Sequence, residues 1–206
     1  MIRYGLILLL AAASWAPAAL TVAPRKGPEG NRFLFIMDTS TSMKRLENSG
    51  RQVVFDLICS GIEGRMQPGD TFGIWSFADE VKGGVFPVQT WSPEKSVELA
   101  TQVNRFLKEQ GNARASRLDT AITNAERLVM SVKNVDIVMV TSGTTRFKPD
   151  DTWAMLLQNW KGRLEEAKKN NKAMVVALAG RGGQIRQATI TLQGERLELA
   201  APPDRP

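Results

Sequence analysis

The chain of 206 residues is long enough for one domain with a hydrophobic core, and its composition, 43% hydrophobic and 23% charged, excludes a disordered or multi-span membrane protein. It contains no histidine, which excludes His-based catalytic triads and imidazole-ligated metal sites, and its single cysteine cannot form an intramolecular disulfide. The net charge of +6 is not concentrated in a block rich in Lys and Arg, so we expect no general nucleic-acid binding.

The N-terminal residues have the layout of a secretory signal peptide. Arg3 precedes an apolar run at residues 6–13, and small residues follow it. Because this run is short for a membrane span of about 20 residues, we expect cleavage and export to the periplasm or the medium; an uncleaved segment that anchors the protein in the membrane is the alternative. The expected order is a signal peptide, a Pro/Gly-rich linker, a folded domain and a tail, at residues 1–19, 20–31, 32–200 and 201–206.

Strand and helix patterns alternate along the domain. Continuous apolar runs and period-two patterns predict strands at residues 33–37, 71–78, 81–88, 135–140 and 173–179, with a terminal hairpin at residues 190–199. Apolar residues at helical spacing predict helices within residues 52–66, 93–107, 118–129 and 153–167. The strand at residues 81–88 follows its neighbour after a two-residue connection, so we expect this pair to be antiparallel.

Such alternation predicts an α/β fold in three layers. We expect a mostly parallel central sheet with one antiparallel edge strand and helices on both faces, and strands 33–37, 135–140 and 173–179 should be parallel. Ligands of these sheets bind beyond the carboxyl ends of the strands. Neither a G-x-G-x-x-G nor a G-x-x-x-x-G-K-[ST] motif is present, so we expect no nucleotide cofactor.

The loop after the first strand carries the most informative motif. Asp38, Ser40 and Ser42 place a carboxylate and two hydroxyls at alternate positions. Hard oxygen donors of this kind suit Mg or Mn. The same residue types also favour the N-terminus of a helix, and this spacing alone does not separate the two interpretations.

A second motif identifies a resemblance. The sequence DTSTSM at residues 38–43, followed by GDTFGIWSFADEV at residues 69–81, resembles the von Willebrand factor type A (VWA) domain family. That family's metal-ion-dependent adhesion site opens with D-x-S-x-S, and its second strand reads much like G-D-x-x-G-[IV]-x-x-F. The resemblance covers residues 31–180. It implies a Rossmann-like VWA fold, bound Mg or Mn, and a protein partner that presents an acidic residue.

The resemblance also assigns site residues. Asp38, Ser40 and Ser42 match the family's first loop, and Ser116 takes the place of its threonine, keeping the hydroxyl. Ser142 replaces the aspartate of the family's T-D-G sequence, so the second carboxylate is missing. Because affinity for a hard cation follows the charge of its ligands, we expect a weak, partly degenerate metal site.

Basic residues are predicted around this site. The loops at the same end of the sheet hold Lys44, Arg45, Arg114, Arg117, Arg146, Lys148, Arg181 and Arg186. They form either the solvated face of a basic protein or a cationic rim, whose main members are Lys44, Arg45, Arg117 and Arg146. Such a rim attracts an acidic partner, and arginine can hold a carboxylate bidentately without a metal.

Two functions are compatible with these features. The first is an exported VWA-type binding module that captures an acidic group of a partner protein, through a divalent cation or through the rim. The alternative is an interaction or assembly subunit that uses the same fold without a metal. We do not expect an enzyme, because no pair of nucleophile and base can be named without histidine.

Overall fold

The computed structural model describes residues 30–111, 113–144 and 154–199. The strands are β1 (Arg32–Asp38), β2 (Thr71–Phe77), β3 (Val81–Lys82), β4 (Gln89–Thr90), β5 (Asn134–Thr141), β6 (Met174–Arg181) and β7 (Gln184–Leu192). The helices are α1 (Glu47–Cys59), the single turn α2 (Gly61–Gly64), α3 (Ser96–Glu109), α4 (Leu118–Ser131) and α5 (Ala154–Asn170). Two 3-10 helices, Thr41–Leu46 and Pro93–Lys95, precede α1 and α3. The predicted signal peptide and C-terminal tail lie outside the described residues.

The strands form one central sheet. Its strand order is β3-β2-β1-β5-β6-β7, and β4 also pairs with β2. β1 is parallel to β2 on one side and to β5 on the other. Residues 33–38 are all buried, as a central strand covered on both faces requires. The predicted position of residues 33–37 inside the sheet is therefore confirmed.

The parallel orientation predicted for the strand at residues 173–179 is wrong. β6 runs antiparallel to β5, from the pair Asn134–Arg181 to the pair Thr141–Met174, and β7 is antiparallel to β6. The connection that contains α5 therefore leaves and re-enters the sheet at the same end. An apolar run indicates burial on both faces but not direction, and this is why the sequence pattern could not show the reversal.

The predicted edge strand and the predicted terminal hairpin both differ from the structure. The antiparallel edge beside β2 is confirmed, but its pairing is limited to the short strands β3 and β4, and residues 83–88 between them form no strand. The hairpin predicted at residues 190–199 is wrong, because residues 195–199 form no strand. The chain instead turns at Gly182 and Gly183, both at positive φ, to join β6 to β7.

Helices cover both faces of the sheet, which confirms the three-layer α/β class. Phe33 and Phe35 face one layer, where buried residues of α1 and α3 complete the core. Leu34 and Ile36 face the other, where α4 and α5 pack. This alternation follows from the period-two geometry of β1. Among the described helices, none has the length and apolar character needed to cross a membrane.

Candidate functional site

The predicted site residues come together at the carboxyl ends of β1 and β5. Asp38 is the last residue of β1, and Ser40 and Ser42 follow it at the start of the first 3-10 helix. Ser142 comes directly after β5. Because β1 and β5 are parallel neighbours, with Met37 paired to Val140, their carboxyl ends place these loops side by side.

Asp38 is the buried centre of the cluster, with no exposed surface. Its Oδ1 accepts a hydrogen bond from the Ser40 backbone N–H at 2.9 Å. Its Oδ2 accepts two more, from Ser116 Oγ at 3.0 Å and Thr141 Oγ1 at 2.8 Å. Three donors therefore compensate the cost of burying this carboxylate.

A row of hydroxyls extends from this centre toward the surface. Ser40 Oγ lies 2.7 Å from Ser42 Oγ, which lies 2.9 Å from Ser142 Oγ. Ser142 Oγ in turn lies 2.7 Å from Thr144 Oγ1, and Thr144 is exposed. The row therefore leads from the buried carboxylate to the exposed Thr144.

Ser116 lies in the cluster because hydrogen bonds hold its loop against the loop that follows β1. The Thr41 backbone N–H donates to Ala113 O at 2.9 Å, and Thr41 Oγ1 donates to Arg114 O at 3.0 Å. Farther along the same loop, the Arg117 N–H donates to Ala78 O at 2.8 Å. These bonds hold a segment from elsewhere in the chain against Asp38, which local sequence patterns do not specify.

Thr141 and Thr144 also belong to the cluster, although neither was among the predicted site residues. Besides its bond to Asp38, Thr141 Oγ1 accepts from the Gly143 N–H at 3.1 Å and so shapes the turn after β5. Thr141 is a hydroxyl residue at the end of an otherwise apolar strand, next to the predicted Ser142. That position was the signal that could have identified it.

The side-chain donors of the cluster are of the type found in hard cation sites. All of its side-chain donors are oxygens, which suit Mg or Mn. In an octahedral shell with metal–oxygen distances of about 2.1 Å, adjacent ligand oxygens lie about 3.0 Å apart. The Ser40–Ser42 and Ser42–Ser142 separations, 2.7 and 2.9 Å, are those of ordinary hydrogen bonds between hydroxyls and are also compatible with such a shell. The charge is low, since no group of three or more His, Cys, Asp or Glu suited to a metal occurs in the described part of the chain.

Part of the predicted rim lies beside the cluster. Lys44 and Arg45 are exposed on the 3-10 helix that carries Ser42. Arg117 is 54% exposed, but its guanidinium holds Asp119 bidentately, at 3.0 and 2.9 Å. This contact lowers the pKa of Asp119 and raises that of Arg117. Arg146 and Lys148 lie outside the described residues.

Arg181 and Arg186 do not belong to the rim. Because β6 is antiparallel to β5, Arg181 pairs with Asn134 at the opposite end of the sheet, and Arg186 follows on β7 near the same end. There Arg181 Nη1 contacts the buried Asp136 at 2.5 Å. Burial raises the pKa of Asp136, and the adjacent Arg181 opposes that increase.

Among solved structures, the chain has a partial likeness to a membrane protein of known structure. The chain is similar to the crystal structure of an aerotolerance-related membrane protein from Bacteroides fragilis NCTC 9343 that carries multiple mutations to serines. The identity is 18%, the TM-score is 0.40, and the alignment covers 65% of this chain and 63% of that protein. No protein-family model matches the chain. No curated protein matches it either.

Proposed function

We propose that this protein is an exported, VWA-like binding module that captures an acidic group of a partner protein through Mg or Mn held at the Asp38 cluster. The observation that carries the proposal is the convergence of Asp38, Ser40, Ser42, Ser116 and Ser142 into one hydrogen-bonded group. A binding role, rather than catalysis, is supported by the absence of histidine, since no imidazole base is available to activate these hydroxyls. Export is supported by the N-terminal signal layout.

Each part of the cluster has a role in this proposal. Asp38 would supply the negative charge, and the hydroxyls of Ser40, Ser42, Ser116 and Ser142 would supply neutral oxygen ligands. When bound, the cation would supply a coordination position that a carboxylate of the partner can fill. Because Asp38 is the only carboxylate of the group, the partner's carboxylate would add much of the missing charge, so metal and partner should bind cooperatively.

The alternative is a module that binds an acidic partner, or assembles with other subunits, without metal. Its support is that both oxygens of Asp38 already accept protein hydrogen bonds, so the cluster is satisfied as it stands. Lys44 and Arg45 are exposed beside it. Arg117 fits this role less well, because a partner's carboxylate would have to displace Asp119.

Calorimetric titration with Mg and Mn tests the metal. The native protein should bind either ion weakly, and Ser42→Ala should abolish the binding, because Ser42 Oγ lies between Ser40 and Ser142. Ser49→Ala is the matched control, since Ser49 donates only to Leu46 O and lies outside the cluster. If Ser42→Ala binds Mg as the native protein does, the metal site is refuted.

An array of synthetic peptides that contain Asp or Glu tests the capture of an acidic group. Binding that disappears in EDTA and in Ser42→Ala, but not in Ser49→Ala, supports metal-dependent capture. Binding that persists in EDTA but decreases in a Lys44→Ala/Arg45→Ala double variant supports the alternative, because those substitutions remove exposed charge only. The absence of any peptide binding that depends on these residues would contradict both versions.

A further inference from the structure

At the end of the sheet opposite Asp38, four adjacent strands each have a basic residue. Arg32 begins β1, Lys133 directly precedes β5, Arg181 ends β6, and Arg186 lies near the start of β7. All four positions are at the same end, because β1 and β5 are parallel and β6 runs against both of its neighbours. Adjacent strands lie about 4.8 Å apart, so the residues form one row about 14 Å wide.

Most of this row is not neutralised by acidic side chains. Three of its members are exposed and form no salt bridge with another described residue: Arg32, Lys133 and Arg186. Arg181 differs, because it contacts the buried Asp136. Asp70 is buried and accepts backbone N–H groups. Glu63 contacts Arg196 at 3.6 Å. Three positive charges are therefore available to an external partner.

Two exposed apolar side chains lie beside the row. Val88 and Met130, at 70% and 67% exposed, are the most exposed large hydrophobic residues in the described part of the chain. Met130 is next to the turn between β6 and β7, since a Cβ built on Gly183 would lie 3.6 Å from the Met130 carbonyl oxygen. Val88 lines the same surface hollow as Arg32 and Val132. Apolar side chains therefore flank the basic row on the side of α4.

We propose that these residues form a surface that lies against a membrane containing anionic lipids. This basal surface consists of Arg32, Lys133, Arg186, Val88 and Met130. Its basic side chains would contact headgroup phosphates, which attract them over roughly a Debye length. Its apolar side chains would enter the interfacial layer, where their burial adds to the electrostatic attraction. Single apolar side chains that project beside basic ones suit a fluid lipid layer, because such a layer needs no complementary pockets.

The start of the folded domain agrees with this orientation. The Asn31 N–H donates to Asp70 Oδ1 at 2.9 Å, and the Thr71 N–H donates to Asn31 O at 3.1 Å. The sequence expected to direct export therefore joins the domain beside the basal surface. Asp38 ends β1, about 20 Å away at the other end of that strand, so its cluster would face away from the membrane. The proposal does not depend on metal binding by Asp38.

Vesicle cosedimentation of the full chain tests the electrostatic contribution. The protein should bind vesicles of equal parts phosphatidylcholine and phosphatidylglycerol more tightly than vesicles of phosphatidylcholine alone, and added salt should reduce the difference. The triple variant Arg32→Gln/Lys133→Gln/Arg186→Gln should lose about tenfold or more in affinity for the anionic vesicles.

A second triple variant, Lys82→Gln/Arg105→Gln/Lys108→Gln, is the matched control. It loses the same charge, and its three residues are also exposed and form no salt bridge with another described residue. They belong to β3 and α3, outside the basal surface. All variants keep the same N-terminal sequence, so a difference between them reports on the substituted side chains.

A polarity-sensitive fluorescent label tests the apolar contribution. With Cys59→Ala to remove the native thiol, NBD attached at Met130→Cys should brighten and shift to shorter wavelength on the anionic vesicles. NBD attached at Thr123→Cys should not change, because Thr123 is exposed on the same helix about two turns nearer the Asp38 cluster.

Three results would overturn the proposal. The first is equal affinity of the two triple variants for the anionic vesicles. The second is a label at position 130 that does not change, or that changes as much as the label at position 123. The third is binding of soluble polyaspartate that depends on Arg32, Lys133 and Arg186 without any binding to vesicles, which would identify an acidic polypeptide as the partner instead.

Discussion

Restoring the missing carboxylate should strengthen metal binding at the Asp38 cluster. Ser142 lies in the row of hydroxyls, 2.9 Å from Ser42 Oγ and 2.7 Å from Thr144 Oγ1. In Ser142→Asp the new carboxylate can accept hydrogen bonds from both of these hydroxyls, so the row keeps its neighbours. The substitution adds one negative charge next to the proposed ligand oxygens.

The added carboxylate attracts the cation strongly, but the expected net gain in the free energy of metal binding is moderate. At an effective dielectric constant of about 20, a divalent cation and a carboxylate about 4 Å apart attract by about 8 kcal/mol. Repulsion between two carboxylates about 6 Å apart in the metal-free protein costs about 3 kcal/mol by the same relation, and Mg gives up its water reluctantly. We therefore expect a net gain of about 1.4 to 2.8 kcal/mol, or about 10- to 100-fold in Kd.

Calorimetry with Mg and Mn on the native protein, Ser142→Asp and Ser142→Asn measures this gain. Ser142→Asn is the matched control, because the amide has nearly the shape of the carboxylate but no charge. The unfolding temperature of Ser142→Asp should also fall in EDTA and recover in Mg, since the cation relieves the repulsion with Asp38. Equal affinities in Ser142→Asp and Ser142→Asn, or tighter binding by the native protein, would refute the electrostatic reasoning.

Four substitutions test the scaffold through urea unfolding. Asp38→Ala should destabilise the protein by about 2 to 4 kcal/mol, because buried donors lose their acceptor, and it should abolish Mg binding. Arg181→Met should cost about 3 kcal/mol at pH 7, since it removes the ion-pair partner of the buried Asp136. Because the pKa of Asp136 is raised in the folded protein, ionisation of Asp136 lowers the stability as the pH rises from 3.8 toward that raised pKa. The cost of Arg181→Met should therefore shrink near pH 4. Asp136→Asn should remove the pH dependence of that cost. Gly180→Ala should cost about 1 to 3 kcal/mol, because its Cβ would lie 2.9 Å from both methyl groups of Val129; a neutral effect would show that α4 can shift.

The local patterns of the sequence determined the class of the fold and most of the cluster. The apolar run at residues 33–37 had to be a strand covered on both faces, and the helical spacing of the apolar residues from Leu118 onward required a helix with one buried face. The D-x-S-x-S spacing placed Asp38, Ser40 and Ser42 in one loop. Such features depend on the periodicity of local backbone structure, so a single sequence contains them.

Only the tertiary structure decided the direction of β6, and with it the members of the rim. The apolar residues of β6 are equally buried in either direction, so nothing in their pattern places Arg181 beside Asp136 rather than beside Asp38. Arg117 was likewise predicted to face a partner, but the position of Asp119 at the start of α4 engages its guanidinium. Pairing between distant segments is set by which packing buries the most surface and satisfies the most polar groups together, and that is a property of the whole chain rather than of any local pattern.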